Sequence, residues 1–195
     1  QYLGRPWDHA KVRGTRFNQG DGLRMAMDIG AMPCGQWSGR HSTPIDADWG
    51  DFADRKLTDK SNRLTYLYGV MLNRNGKRFV DEGADFRNYT YAKYGKVILT
   101  QPRQFAWQIF DQKVVHLLRD EYRIKQMTKV TDDTIEGLAK KLEGVDADAF
   151  VKEVKDYNNA VMDDVRFNPA VLDGRGTKDL PVPKTNWANK LDTPP

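Results

Sequence analysis

The tetrapeptide Asn73-Arg74-Asn75-Gly76, set between the runs Leu64 to Leu72 and Lys77 to Val80, constrains this chain more than any other feature. The first run is rich in β-branched, aromatic and aliphatic residues. Asn-Gly between two such runs signals a hairpin, because a type I′ turn needs positive φ at both central residues. The spacing therefore predicts two antiparallel strands, with a further strand over Phe105 to Phe110 and a helix over Asn88 to Leu99. Downstream, Thr131-Asp132-Asp133-Thr134 opens a helix through Leu142 that Gly144 closes. Asp146 caps a longer one, in which Phe150, Val151, Val154, Tyr157 and Val161 form a stripe of 3.6-residue period. Upstream, Asn18 caps and Gly30 stops a short helix over Leu23 to Ile29 with Asp21 in its first turn, expected to be buried. The mixture defines an α+β class. From Phe167 onward Pro, Gly, Asn and Asp dominate. A tail of that length is long for an unstructured loop, and it is expected to pack against a part of the protein outside these residues.

Composition removes several function classes. With 31 basic and 27 acidic residues the net charge is +4, and no basic run or arm stands out, so nothing points to nucleic acid. No apolar stretch approaches the ~20 residues that a membrane span needs. The chain opens on Gln1 with no signal-peptide pattern and no initiator Met, which reads as a start inside a longer protein. A single cysteine, Cys34, rules out an internal disulfide and fits a reducing, cytoplasmic compartment; beside Pro33 and Gly35 it reads as a small buried residue. One cysteine and three scattered histidines give no metal-ligand spacing. No nucleophile motif is present either.

Several segments, taken in order, resemble the FAD-dependent fumarate reductase/succinate dehydrogenase flavoprotein family. Asn18-Gln19-Gly20-Asp21-Gly22-Leu23 is similar to that family's Thr-Gly-Asp-Gly helix start beside the flavin. Gly35 to Pro44, with His41 inside it, is similar to the His-Pro-Thr segment. The hairpin through Arg78-Phe79-Val80-Asp81-Glu82 is the most specific match, and Thr134 to Leu142 resembles the cap helices. Within the family, Val12 to Asn18, Asp85 to Tyr91 and Pro183 to Asn189 look most like tricarballylate dehydrogenases. The Gly-x-Gly-x-x-Gly fingerprint, which lets backbone approach a pyrophosphate at a helix N-terminus, is absent from these residues. The resemblance thus implies an internal fragment: residues 1–35 as a piece of the FAD-binding domain and 36–195 as the substrate-capping domain of a two-domain flavoprotein.

That resemblance also implies site residues. Arg87, five positions after Glu82 where soluble fumarate reductases have four, is the implied proton-handling residue. An arginine, with a pKa above ~12, is a poor resting base and has to work through a neighbour or a transient deprotonated state. His41 is the implied carboxylate-binding histidine, with Arg40 beside it as a second cation and Glu82 orienting Arg87 or a loop. Gly20, Asp21 and Gly22 are the implied flavin contacts. Read without the resemblance, Arg87 is a solvated or helix-capping arginine, His41 a polar loop residue, Glu82 half of a surface salt bridge and Asp21 a helix-start residue. The family's proton-feeding Glu and Arg correspond to Asn62 and Thr65, which cannot relay a proton in the same way; this fits a dehydrogenase, or another proton route, better than fumarate reduction by the family's path.

The expected parent is an FAD enzyme that oxidises a CH–CH bond of a small polycarboxylate, tricarballylate first, and passes electrons to a further acceptor such as a protein or quinone pathway. This piece is expected to hold no FAD tightly and to turn nothing over. Two alternatives stay open: a stand-alone binding module that kept the cap fold, and a family member acting on fumarate, urocanate or a ketosteroid.

Overall fold

The computed structural model describes residues 3–193. Within them, four α-helices and a small antiparallel pair of strands carry the architecture: α1 (Asp21–Asp28), β1 (Val70–Leu72), α2 (Arg87–Ile98), β2 (Trp107–Ile109), α3 (Ile135–Lys141) and α4 (Ala147–Ala160), with 3-10 turns between them. Strand β1 pairs with β2, Val70 opposite Ile109 and Leu72 opposite Trp107.

The Asn73–Gly76 turn forms, but as a different turn from the type I′ expected. Gly76 has φ of 67°, while neither Arg74 nor Asn75 is at positive φ. The Asn73 side chain instead accepts from the backbone N–H groups of Asn75 and Lys77, giving a longer turn closed by a left-handed glycine. The returning segment keeps one bridge, Leu72 to Arg78. It then leaves the ladder because Arg78 turns inward to Glu82, so β1 finds its partner in β2, more than thirty residues on. The run Leu64 to Gly69, expected as strand, carries a 3-10 turn at Tyr66–Tyr68.

Helices α3 and α4 lie where their caps and stripe place them. Thr134 Oγ1 accepts from the Gly137 N–H, and the Asp146 carboxylate from the Ala149 N–H, satisfying first-turn donors. Phe150, Val154 and Tyr157 of α4 are buried with Val70, Leu72, Ile109, Ala139 and Leu142 in one core cluster. A second cluster gathers Tyr66, Leu67, Met71, Val80, Tyr94 and Trp187 under α2.

Three expectations are corrected. Helix α1 is not buried: no residue in it is, and Leu23, Met25 and Ile29 are 59%, 66% and 88% exposed. Its apolar face has nothing to meet among the described residues, and its cap position is Gly20, with φ of 91°, not Asn18. Cys34 is exposed. The tail, expected to dock on something outside the chain, packs on this one. Trp187 is fully buried, and its indole N–H donates to the carbonyls of Asn168 and Val171. The Arg175 guanidinium donates to Ala188, Met162 and Val165 carbonyls, and Leu191 closes the core.

Lys184 pins this tail to the sheet. Its buried ammonium donates to the Leu67 carbonyl at 2.7 Å and the Gly69 carbonyl at 2.5 Å. Burial pushes its pKa down to about 8, against the pull of the Glu82 carboxylate. The unfolded chain therefore holds more protons than the folded one above pH 8, and stability rises with pH at up to ~1.4 kcal/mol per pH unit. The slope reverses above pH 10, where tyrosines that burial pushes upward, such as Tyr157, ionise first in the unfolded chain. Lys184→Met is expected to flatten the rise in urea midpoint between pH 8 and pH 10; an unchanged slope would assign it to another group.

Candidate functional site

Helix α2 carries Arg87 and holds His41 through Tyr91. Arg87 is its first residue. Tyr91, four positions on and therefore on the same face, has its hydroxyl 2.9 Å from His41 Nε2. The two rings meet edge-on at 5.1 Å. The residues after His41 continue down the helix: Ser42 Oγ donates to the Ala92 carbonyl at 2.9 Å. A Cβ on Gly95 would lie 2.6 Å from the Thr43 nitrogen. Glycine inside a helix costs about 1 kcal/mol relative to alanine, and here it admits the backbone of the His41 loop. The loop's other end is clamped at Asp46, whose carboxylate takes the Arg63 guanidinium at 2.7 Å and the Thr128 hydroxyl at 2.8 Å. Burial acts to raise Asp46, and these donors outweigh it and hold the carboxyl below its usual value.

The cap residue of α2, Phe86, offers no side-chain acceptor, so first-turn backbone N–H groups and the positive end of the helix dipole stand beside Arg87, while the Asp85 carboxylate accepts from the Phe86 N–H. Arg87 is half-buried, and its side chain makes no hydrogen bond or ion pair with the described residues. Its neighbours are hydroxyls: burial pushes Tyr66 upward, while the Thr90 hydrogen bond and the Arg87 charge pull it down. Tyr68 is raised by burial against the same charge. The Tyr66 hydroxyl lies 2.7 Å from Thr90 Oγ1. Phe86, Tyr68 and Phe167 gather on Trp187 and one another, with ring centroids 5.3 to 6.3 Å apart, walling one side of this helix start.

Glu82, which the resemblance implies as orienting Arg87 or a loop, is an internal support. It is fully buried; Oε1 accepts from Met71 N at 2.7 Å and Arg78 Nε at 3.1 Å, and Oε2 from Arg78 at 2.5 Å. It reaches Arg87 only through the backbone it fixes. Arg40 is exposed and stacks over the Trp7 ring at 5.0 Å. With His41 it opens into a groove of about 1910 Å³ that also takes in Arg5, Arg103 and Lys125. Arg87 is not among the groove's lining residues. Asn62 is buried and donates to Asp59, and Thr65 is buried beside Tyr122; neither faces solvent.

Gly20, Asp21 and Gly22 stand apart from this cluster at the start of α1. A Cβ at Gly20 or Gly22 meets nothing within 4 Å, so a flat ligand could approach the backbone there. No described element encloses the place. These residues fit one edge of an FAD site and not a whole one. Sequence reasoning missed Tyr91 and Tyr66 as site residues; the four-residue spacing from Arg87 to Tyr91 is the signal that could have found the first.

No protein-family model matches the chain. Over 149 residues, 73% of this chain and 22% of the relative, it is 36% identical to a probable fumarate reductase, Ifc3, of Shewanella frigidimarina. An open-conformation flavocytochrome c3 fumarate reductase superposes over 100% of this chain and 30% of its own, with a TM-score of 0.67; at 24% identity this speaks for the fold. A 3-ketosteroid Δ1-dehydrogenase from Sterolibacterium denitrificans, in complex with 1,4-androstadiene-3,17-dione, covers 82% of this chain and 30% of its own at 26% identity, with a TM-score of 0.55. The chain thus has part of the fold of a flavin-dependent oxidoreductase. Over most of its own length the chain is similar in sequence to part of one probable fumarate reductase and in fold to parts of two oxidoreductases. It spans about a fifth of the length of the curated relative it matches. Among the described residues no helix is long and apolar enough to cross a membrane.

The fit of Gly95 against the loop decides the sign of one substitution. Gly95→Ala is expected to destabilise the chain by ~1–3 kcal/mol through overpacking, measured by urea unfolding. A free loop would instead give the ~1 kcal/mol gain of alanine in a helix.

Proposed function

We propose that this chain is the substrate-capping part of an FAD-dependent dehydrogenase that oxidises a CH–CH bond of a small polycarboxylate of the tricarballylate kind. The observation that carries the reading is that α2 holds Arg87 at its uncapped N-terminus and, one turn on, holds His41 through Tyr91. Neither the Arg87 guanidinium nor the His41 ring hydrogen-bonds a protein carboxylate among the described residues, which leaves both for a ligand that brings its own carboxylates; the Asp85 carboxylate is spent on the Phe86 N–H.

In this reading His41 binds one carboxylate and Arg40 a further one. Arg87 faces the carbon that loses a proton, and Tyr66 and Tyr68 shield it on the inner side. Gly20 to Gly22 would help hold FAD in the parent, where it would supply the two-electron acceptor for the hydride from the neighbouring carbon. The alkene would form as the hydride leaves one carbon and the proton of the other passes to Arg87 in its transient deprotonated state, with the electrons going onward to an acceptor protein or quinone pathway.

A second reading, a steroid-like substrate, draws on the aromatic wall of Tyr68, Phe86, Phe167 and Trp187 and on the likeness to the ketosteroid dehydrogenase. One experiment separates the two. The full-length flavoprotein, kept anaerobic, is expected to bleach its flavin absorbance on adding tricarballylate. Arg87→Lys is expected to slow that reduction by ~10²–10⁴-fold, the usual contribution of a positioned proton-transfer group, at unchanged flavin content. Bleaching by a 3-ketosteroid and not by any polycarboxylate would overturn the first reading.

A further inference from the structure

Tyr91 takes no direct part in the proposed reaction, yet among the described residues it alone joins the His41 loop to the Arg87 helix by a side-chain to side-chain hydrogen bond. We propose that Tyr91 is a positioning residue that selects the His41 tautomer, so that the ring presents an N–H to a substrate carboxylate even when it is neutral. The proposal rests on the polycarboxylate reading and names how its histidine is set.

Donors and acceptors decide the point. A neutral imidazole has one donor nitrogen and one acceptor nitrogen, and the partner of either decides which is which. His41 Nε2 lies 2.9 Å from the Tyr91 hydroxyl. With that hydroxyl donating, Nε2 is the acceptor and the proton sits on Nδ1. Nδ1–H is then free to donate to an anion. The edge-on contact at 5.1 Å fixes the ring plane as well, and Tyr91 is half-buried on α2, whose neighbouring carbonyl at Ala92 holds Ser42. Ring and loop are thus set by the same helix that presents Arg87.

The groups facing His41 leave this choice to Tyr91. From α2 it is Tyr91. On its own loop Arg40 is turned onto Trp7. Across the groove stand Arg5 and His9, with Asp46 and Asp48 further along it, and Asp46 is committed to Arg63 and Thr128. Apart from Tyr91, none of these makes a hydrogen bond to the His41 ring among the described residues.

The test uses the full-length flavoprotein and Tyr91→Phe, which keeps the ring and removes only the hydroxyl; flavin content reports folding. Two-bond ¹⁵N–¹H correlations of His41 at pH 8 read the tautomer without substrate. The wild type is expected to carry its proton on Nδ1, and the variant to shift toward Nε2. With tricarballylate, KM of the wild type is expected to stay within about twofold from pH 6 to pH 8. KM of Tyr91→Phe is expected to rise about tenfold across the same range, the worth of one hydrogen bond to a charged group. A proton on Nε2 in the wild type overturns the proposal. So does a KM raised equally at all pH values, which marks a loop that has merely moved. An enzyme inert to every polycarboxylate overturns the functional reading, while the tautomer still decides the claim about Tyr91.

Discussion

The buried Arg78–Glu82 ion pair organises the fold around it. Both side chains are at most 1% exposed, and both are held from several directions. Glu82 closes on Met71 of β1. Arg78 reaches the carbonyls of Val80, Val182 and Pro183 and covers the Tyr157 ring of α4 at 5.2 Å. Burial alone would push Arg78 down; the adjacent carboxylate more than reverses this and holds it above its usual value. An unpaired charge at this depth costs several kcal/mol. The pair therefore forms with all its partners in place, and in doing so locks strand, turn, helix and tail together.

The segment after Glu82 is consequently fixed in space. A Cβ on Gly83 would lie 2.2 Å from the Asn186 carbonyl, and the Asn186 amide returns a hydrogen bond to the Gly83 carbonyl. The tail and the segment leading into α2 are pressed flat on one another. Tyr94 then donates back to the Asp81 carbonyl. The direction in which α2 leaves, and so the place of Arg87 and the line along which the His41 loop lies, descends from this buried pair. Glu82 matters to the site as a foundation rather than as a contact.

The parts of this architecture that sequence made legible are those whose cause is local. Thr134 and Asp146 cap the helices they were expected to start, and the apolar stripe of α4 is the one it buries. The glycine at position 76 closes its turn as a left-handed residue. The features that escaped are set at a distance. Nothing near Val70 announces that its partner is Ile109, because that pairing depends on Arg78 abandoning the ladder for Glu82. Lys184 reads as a surface lysine until Leu67 and Gly69 are seen to accept from it. The tail looked like a ligand for some other surface because Pro, Gly and Asn hide how deeply Trp187 and Ala188 are buried. For the site, resemblance supplied Arg87 and His41, and only the fold shows that Tyr91 connects them. The exposed apolar face of α1 was read as buried from its pattern, which is sound for a helix whose partner is present among the described residues.

The proposed site is a matter of position: a polycarboxylate lies between the His41 loop and the start of α2, with Arg87 at the carbon that gives up a proton. A crystal structure of the full-length flavoprotein with tricarballylate bound measures this placement. One carboxylate is expected on His41 Nδ1, and the Arg87 guanidinium within ~3–3.5 Å of a methylene carbon, on the side away from the flavin. A ligand seated elsewhere, with Arg87 turned to solvent and no carboxylate on His41, would refute the placement.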